Sequence, residues 1–219
     1  MLMINSIKPI ICSGGSMNGM PMMKIDFADV LDESALTGFQ KLQPEQVFSQ
    51  IIEGWKHPWV QFSGKEPCSQ QGLDFVKLMK MLIKGGYHVH LETWGSLPIP
   101  CIELFRWITL IAGYPEIEER HPAILGSVHE IQFLVDSLAD LDWICNTIGD
   151  GAFGIEQRKP VIQIHPMICV GQKAKSPNGK FNVPYCKPYY PSGMIDGCKE
   201  LCLKNGWNLS IDSMKLAME

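Results

Sequence analysis

Between Trp59 and Thr93 the chain runs strand, glycine loop, helix, strand, and few folds accept that order. Trp59-Val-Gln-Phe-Ser-Gly-Lys-Glu-Pro67 reads as a short buried strand, Val60 to Phe62, entering a tight loop that carries an acid. Leu73 to Ile83 follows with Val76, Met79, Leu82 and Ile83 at helical spacing, and Gly85-Gly86 ends it. Tyr87–Glu92 is a second strand, with Glu92 and Thr93 where it stops. Strands joined through a helix lie parallel with a right-handed crossover. Ligands of such sheets bind beyond the carboxyl ends of the strands, so the two loops are the candidate site.

The rest of the sequence repeats the alternation. Ile4 to Ile11 is apolar and suits an edge strand; Cys12-Ser-Gly-Gly-Ser16 is a flexible turn, and Met22 to Phe27 is a strand. Pro44 opens a helix over 44–55, with Val47, Phe48, Ile51, Ile52 and Trp55 on one stripe. Strands are expected at Trp107–Ile111, Ile131–Val135, Val161–His165 and Trp207–Ile211, and helices at Leu138–Ile148 and Ser192–Asn205. Residues 171–191, rich in Gly, Pro, Lys and Tyr, form a long loop of the kind that is usually functional or mobile. No linker or repeat divides residues 1–219, which gives a single α/β domain with a mainly parallel sheet.

Composition excludes several classes. At 219 residues the chain has room for one sizeable core. A net charge of −4 argues against generic nucleic-acid binding, which needs a basic surface. No apolar run reaches the roughly 18 to 20 residues of a membrane span, and no secretory cleavage signal follows the apolar start, so the expected compartment is the cytoplasm. The eight cysteines are scattered without a C-x-x-C pair, a pattern that suits buried small hydrophobes in a reducing compartment. Cys198 and Cys202 share a helix face, and Cys12 and Cys68 follow strands near the candidate site. His88 and His90 alternate along one strand face, and His165 precedes Pro166 at a strand end, where it is a candidate substrate contact.

The loops Ser63-Gly64-Lys65-Glu66-Pro67 and Leu91-Glu92-Thr93-Trp94-Gly95-Ser96 resemble the Gly-Gly-Glu-Pro and Leu-Glu-Thr-Asn-Gly-Ser loops of 7-carboxy-7-deazaguanine synthase. That family belongs to the radical S-adenosylmethionine (radical SAM) superfamily and acts in deazaguanine and queuosine synthesis. Gly19-Met-Pro21 keeps the family's Gly-x-Pro, while Cys12-Ser-Gly-Gly15 stands where the family has Gln-Gly-Glu-Gly. Glu130-Ile-Gln-Phe-Leu-Val135, Gln163-Ile-His-Pro-Met167 and the closing strand up to Lys215 resemble further family strands. The superfamily's C-x-x-x-C-x-x-C cluster loop should begin just beyond Ala28, and there Val30, Ser34 and Thr37 stand in place of the cysteines. No cysteine lies between Cys12 and Cys68.

The resemblance implies a partial parallel β-barrel of about six strands with helices outside, and a homodimer. It implies ligand contacts at Ser63, Gly64, Glu66, Glu92, Thr93 and His165. Soft, charged thiolates are what holds a 4Fe–4S cluster, and neither valine nor a neutral hydroxyl replaces them. The expected protein therefore has no catalytic or metal residues of the family type and no cofactor. It is a catalytically inactive paralogue, a pseudoenzyme with a binding or regulatory role, its ligand a purine- or pterin-like molecule or a protein partner. The alternative is an active synthase, a carbon–nitrogen lyase using S-adenosylmethionine, the cluster and magnesium. A third reading is an unrelated, metal-assisted activity in the same pocket. Glu66 and Glu92 are compatible with paired acid–base carboxylates and equally with loop acids capping backbone amides.

Overall fold

A computed structural model describes residues 1–28, 30, 38–70, 72–113, 124, 126–149, 160–167 and 193–210. The strands are β1 (Leu2–Ile11), β2 (Pro21–Phe27), β3 (Gln40–Leu42), β4 (Trp59–Gly64), β5 (His88–Thr93), β6 (Trp107–Ala112), β7 (Glu130–Val135), β8 (Val161–Pro166) and β9 (Asn208–Leu209). The helices are α1 (Pro44–Gly54), α2 (Leu73–Lys84), α3 (Leu138–Gly149) and α4 (Met194–Asn205). The strands form one sheet in the order β3-β1-β2-β4-β5-β6-β7-β8-β9. From β2 to β9 every pairing is parallel. The β1 strand joins β2 and β3 antiparallel.

The parallel part therefore has seven strands where about six were expected. β1 is not an edge strand: its outer side pairs with β3, and β3 is the edge. The last strand begins at Asn208 rather than Trp207. The 171–191 loop, Ser34, Thr37 and Lys215 lie outside the described residues.

Sequence and fold meet in the two-residue period of the strands. Val60 and Phe62 of β4, Val89 and Leu91 of β5, Ile108 and Leu110 of β6, Ile131 and Phe133 of β7, and Ile162 and Ile164 of β8 all enter one apolar core. The residues between them are largely polar and point the other way: Gln61 and Ser63, His90 and Glu92, Thr109, Glu130 and Gln132, Gln163 and His165. Period two places these on the face opposite the core.

The helices close the apolar face. Pro44 starts α1, and Gln43 and Gln46 form a reciprocal capping box there. Val47 and Ile51 of α1 are buried, as are Phe75, Leu78, Met79 and Leu82 of α2. The expected α2 stripe is thus rotated: Ile83 is exposed and Phe75 is inside. Around Phe62 the rings of Phe27, Phe75 and Phe105 lie 5.0, 5.5 and 6.0 Å away. Gly197 lets α4 approach α3, since a Cβ there would sit 2.9 Å from Leu138 Cδ2. Among the described residues no helix is long and apolar enough to cross a membrane.

Candidate functional site

The polar face of the sheet borders a cavity of about 1280 Å3. Lys24 of β2, Gln61 of β4, Glu92 of β5, Gln132 of β7 and His165 of β8 line it, and Lys8 and Cys12 close it from the β1 side. The strand period accounts for its polar strand residues, because Lys24, Gln61, Glu92, Gln132 and His165 each alternate with core residues.

The six residues singled out from the sequence divide into two places. Glu92 and His165 line the cavity. Glu66 and Thr93 form a buried lock beside it. The Thr93 hydroxyl lies 2.8 Å from both Glu66 carboxylate oxygens, the Cys68 N–H donates to Glu66 Oε1 at 3.0 Å, and the Gly95 N–H donates to Thr93 Oγ1 at 2.9 Å. This ties the loop after β4 to the loop after β5. Burial raises the Glu66 pKa, and the Thr93 hydrogen bond opposes the rise. Ser63 is buried, and at Gly64 an added Cβ would lie 2.2 Å from the Phe27 carbonyl oxygen of β2. Lys65 is exposed and Trp94 half-buried; neither lines the cavity.

Glu92 is the cavity's perturbed acid. Its pKa is raised to about 7, first by burial and then by the charge of Glu130, against Lys24 and the hydrogen bond from Gln61, which pull it down. A carboxyl raised in the folded state favours folding fully only below its unfolded pKa, and that contribution is lost as pH rises through about 7. Glu92→Gln is therefore expected to gain stability over the parent at pH 8 and little at pH 5. At about 1.4 kcal/mol per pKa unit, discounted for water reaching a half-buried group, the gain is about 2 kcal/mol. Urea unfolding at the two pH values checks it, and an equal effect at both would contradict the assignment.

The turn between β1 and β2 reaches onto the same face. The Ser16 N–H donates to Glu130 Oε2 at 2.7 Å, the Gly15 N–H to Ser210 Oγ at 2.8 Å, and Gln163 Nε2 to Ser16 Oγ at 3.2 Å. Gly15 holds φ +65, a conformation that favours glycine, and a Cβ there would meet Glu130 Oε1 at 2.2 Å and displace that carboxylate. Ser210 Oγ also lies 3.2 Å from His165 Nδ1. Below this, His90 Nε2 lies 3.0 Å from Thr109 Oγ1, which lies 3.5 Å from Glu130 Oε1. Burial, then the neighbouring His129, lowers the His90 pKa to about 3, so this ring is neutral.

Two pairs of residues have the chemistry of metal ligands, Cys12 with Cys68 and His88 with His90. Cys12 lines the cavity with its thiol 3.4 Å from the Gly14 carbonyl, and burial raises its pKa to about 11. Cys68 is fully buried beside Glu66 with its pKa raised further by burial. His88 packs on the Trp59 ring at 5.2 Å while His90 faces Thr109, so the pair does not converge. Among the described residues no group of three or more His, Cys, Asp or Glu side chains is placed to hold a metal. Lys24, Gln61 and Gln132 are the cavity residues that strand-end reasoning overlooked; each lies within a strand, on the face opposite the core.

The fold is similar to the crystal structure of QueE from Escherichia coli. The TM-score is 0.68 and 18% of residues are identical, over 96% of this chain and 93% of that one. No protein-family model matches the sequence, and no curated protein does.

Proposed function

We propose that this chain is a cluster-free relative of 7-carboxy-7-deazaguanine synthase. In this reading it binds a small purine- or pterin-like ring compound in the concave cavity, in a binding or regulatory role. The observation that carries the proposal is a pairing. The fold is that of QueE along almost the whole chain, yet the segment joining β2 to α1, residues 28–43, contains no cysteine. A QueE-type protein would use S-adenosylmethionine, a 4Fe–4S cluster and magnesium. The residues present do not fit the cluster. Three thiolates are needed, this segment supplies none, and the nearest two cysteines in sequence are Cys12 and Cys68, outside it on either side. Without the cluster's open iron, S-adenosylmethionine loses the group that would hold its amino and carboxylate ends, so no step is assigned to it.

The cavity suits a flat polar ligand. Two amides, a carboxyl, two ammonium groups and two imidazoles supply both donors and acceptors around apolar residues that include Ile111 and Leu134. A cytoplasmic homodimer is part of the same proposal. Anaerobic reconstitution with ferrous iron and sulfide tests it: the expected product is colourless, with no bound iron or sulfide in stoichiometric amount. Stoichiometric iron and sulfide that disappear in Cys12→Ser or Cys68→Ser would restore the active synthase. Calorimetry with S-adenosylmethionine, a carboxypterin and a deazaguanine is expected to show binding of a ring compound and none of the cofactor. Micromolar binding of S-adenosylmethionine alone would overturn the reading.

A further inference from the structure

We propose that Glu92 is a general base acting on a ligand held in the concave cavity, with Lys24 facing the negative charge that develops on that ligand. The protein would then carry a proton-transfer activity that needs no cluster. This rests on the reading of the cavity as a ligand site, and it goes further by naming a reaction class. The substrate class is a heteroaromatic or carbonyl compound with an acidic C–H or N–H next to an electron-withdrawing oxygen or nitrogen. The reaction is a proton shift within it. Glu92 takes the proton, the electron pair moves onto the oxygen or ring nitrogen beside Lys24, and the same proton returns at the new site. Nothing is oxidised or reduced, and no co-reactant is consumed.

Geometry separates the two acids that the sequence leaves as a pair. Glu66 is occupied on both oxygens by the Thr93 hydroxyl and on one by the Cys68 amide, and it does not line the cavity. Glu92, from the adjacent strand, does. The Gln61 amide holds it, and Lys24 interacts with it from β2. A base positioned by one neutral donor, facing a ligand-sized space with a cation nearby, has the parts of a proton-transfer site. Lys24 is half-buried, lines the same cavity and makes no ion pair within 4.0 Å among the described residues. Its charge is therefore available to a developing anion.

The charged and titratable groups around Glu92 set how the activity should depend on pH. Lys8 and Cys12 face the cavity from the β1 side, Lys24 from β2, His57 from the turn before β4, and His165 from β8, while Glu130 of β7 acts on Glu92 by its charge. Cys12 is a neutral thiol through the neutral range, because burial holds its pKa near 11. Burial and Glu130 place the Glu92 pKa near 7, and Lys24 opposes them. The activity should rise as pH increases through about 7, where Glu92 loses its proton. Removing Lys24 should move that inflection upward.

The test uses nitrobenzisoxazole, a probe for carboxylate bases in partly apolar sites. The base removes the ring C–H proton, that electron pair completes a nitrile, and the N–O bond breaks to release a coloured cyanonitrophenolate. The full chain, without reconstitution, is expected to catalyse this with a pH inflection near 7. Glu92→Gln should lower the rate roughly a hundredfold, and Lys24→Met should raise the inflection by roughly one pH unit. Three results would each overturn the assignment: no rate above that of free acetate, an undiminished rate in Glu92→Gln, or an inflection unmoved in Lys24→Met. If Glu92→Gln fails to fold, judged by thermal unfolding, the Lys24→Met profile decides. Ring compounds that bind calorimetrically to a protein inactive on the probe would sink the base and leave the ligand site. A reconstituted cluster would sink the cluster-free reading and leave the pH profile intact.

Discussion

Gly64→Ala should destabilise the protein strongly, with an expected loss of about 3 to 5 kcal/mol. Gly64 is the register partner of Phe27 in the β2–β4 pairing, and its φ is +125, a conformation that side chains rarely adopt. An alanine Cβ there would lie 2.2 Å from the Phe27 carbonyl oxygen and 3.0 Å from its nitrogen. Both contacts are with backbone, so no side-chain rotation relieves them. Relief requires β2 and β4 to part at their carboxyl ends, which costs ladder hydrogen bonds and disturbs the adjacent Glu66 lock. Urea unfolding gives the difference, and a loss under about 1 kcal/mol would mean that the two strands separate freely there.

Phe62→Ala is the second large effect, about 3 to 5 kcal/mol. Phe62 is fully buried, with Phe27 at 5.0 Å, Phe75 at 5.5 Å and Phe105 at 6.0 Å between ring centres. These partners come from β2, α2 and the segment before β6, so their backbones cannot all move inward to fill the space. The cavity term therefore adds to the lost transfer energy. The midpoint of denaturant unfolding should fall with an unchanged slope, the mark of lost packing rather than of altered compactness. A change confined to the slope would contradict this account.

The elements were legible in the sequence where apolar period and punctuation agreed. Pro44 and the Val47–Ile51 spacing located α1, and Gly85-Gly86 located the end of α2. The β3 strand was not legible, because Gln40-Lys-Leu42 is short, mostly polar and exposed, and forms only by pairing with β1. For the same reason β1 read as an edge. Helix position was easier to read than helix rotation: Val76 and Ile83 keep the spacing of α2, yet Phe75 fills the ring cluster and turns Ile83 outward.

At the site, the sequence located the loops but not the split between their acids. Glu66 and Glu92 lie on neighbouring strand ends, and spacing says nothing about which of them Thr93 occupies. Lys24, Gln61 and Gln132 were missed because strand-end reasoning looks past positions within strands. The signal was present as polar residues alternating with Ile25, Phe62 and Phe133 in strands whose other face is fully apolar.

The turn at Gly15 and Ser16 has a consequence for how the chain matures on the ribosome. Its partners Glu130, Gln163 and Ser210 lie 114, 147 and 195 residues further along. The first hairpin can form early, since β1 and β2 are neighbours in sequence. Its tip, however, gains Glu130 first, then Gln163, and the Gly15–Ser210 bond only once β9 has been passed. Contacts of such separation are gained late and slow a fold that is already rich in parallel pairing. A truncated nascent chain would therefore carry a hairpin whose glycine tip has nothing to close against, and closure of the polar face becomes a signal that synthesis has run past Ser210.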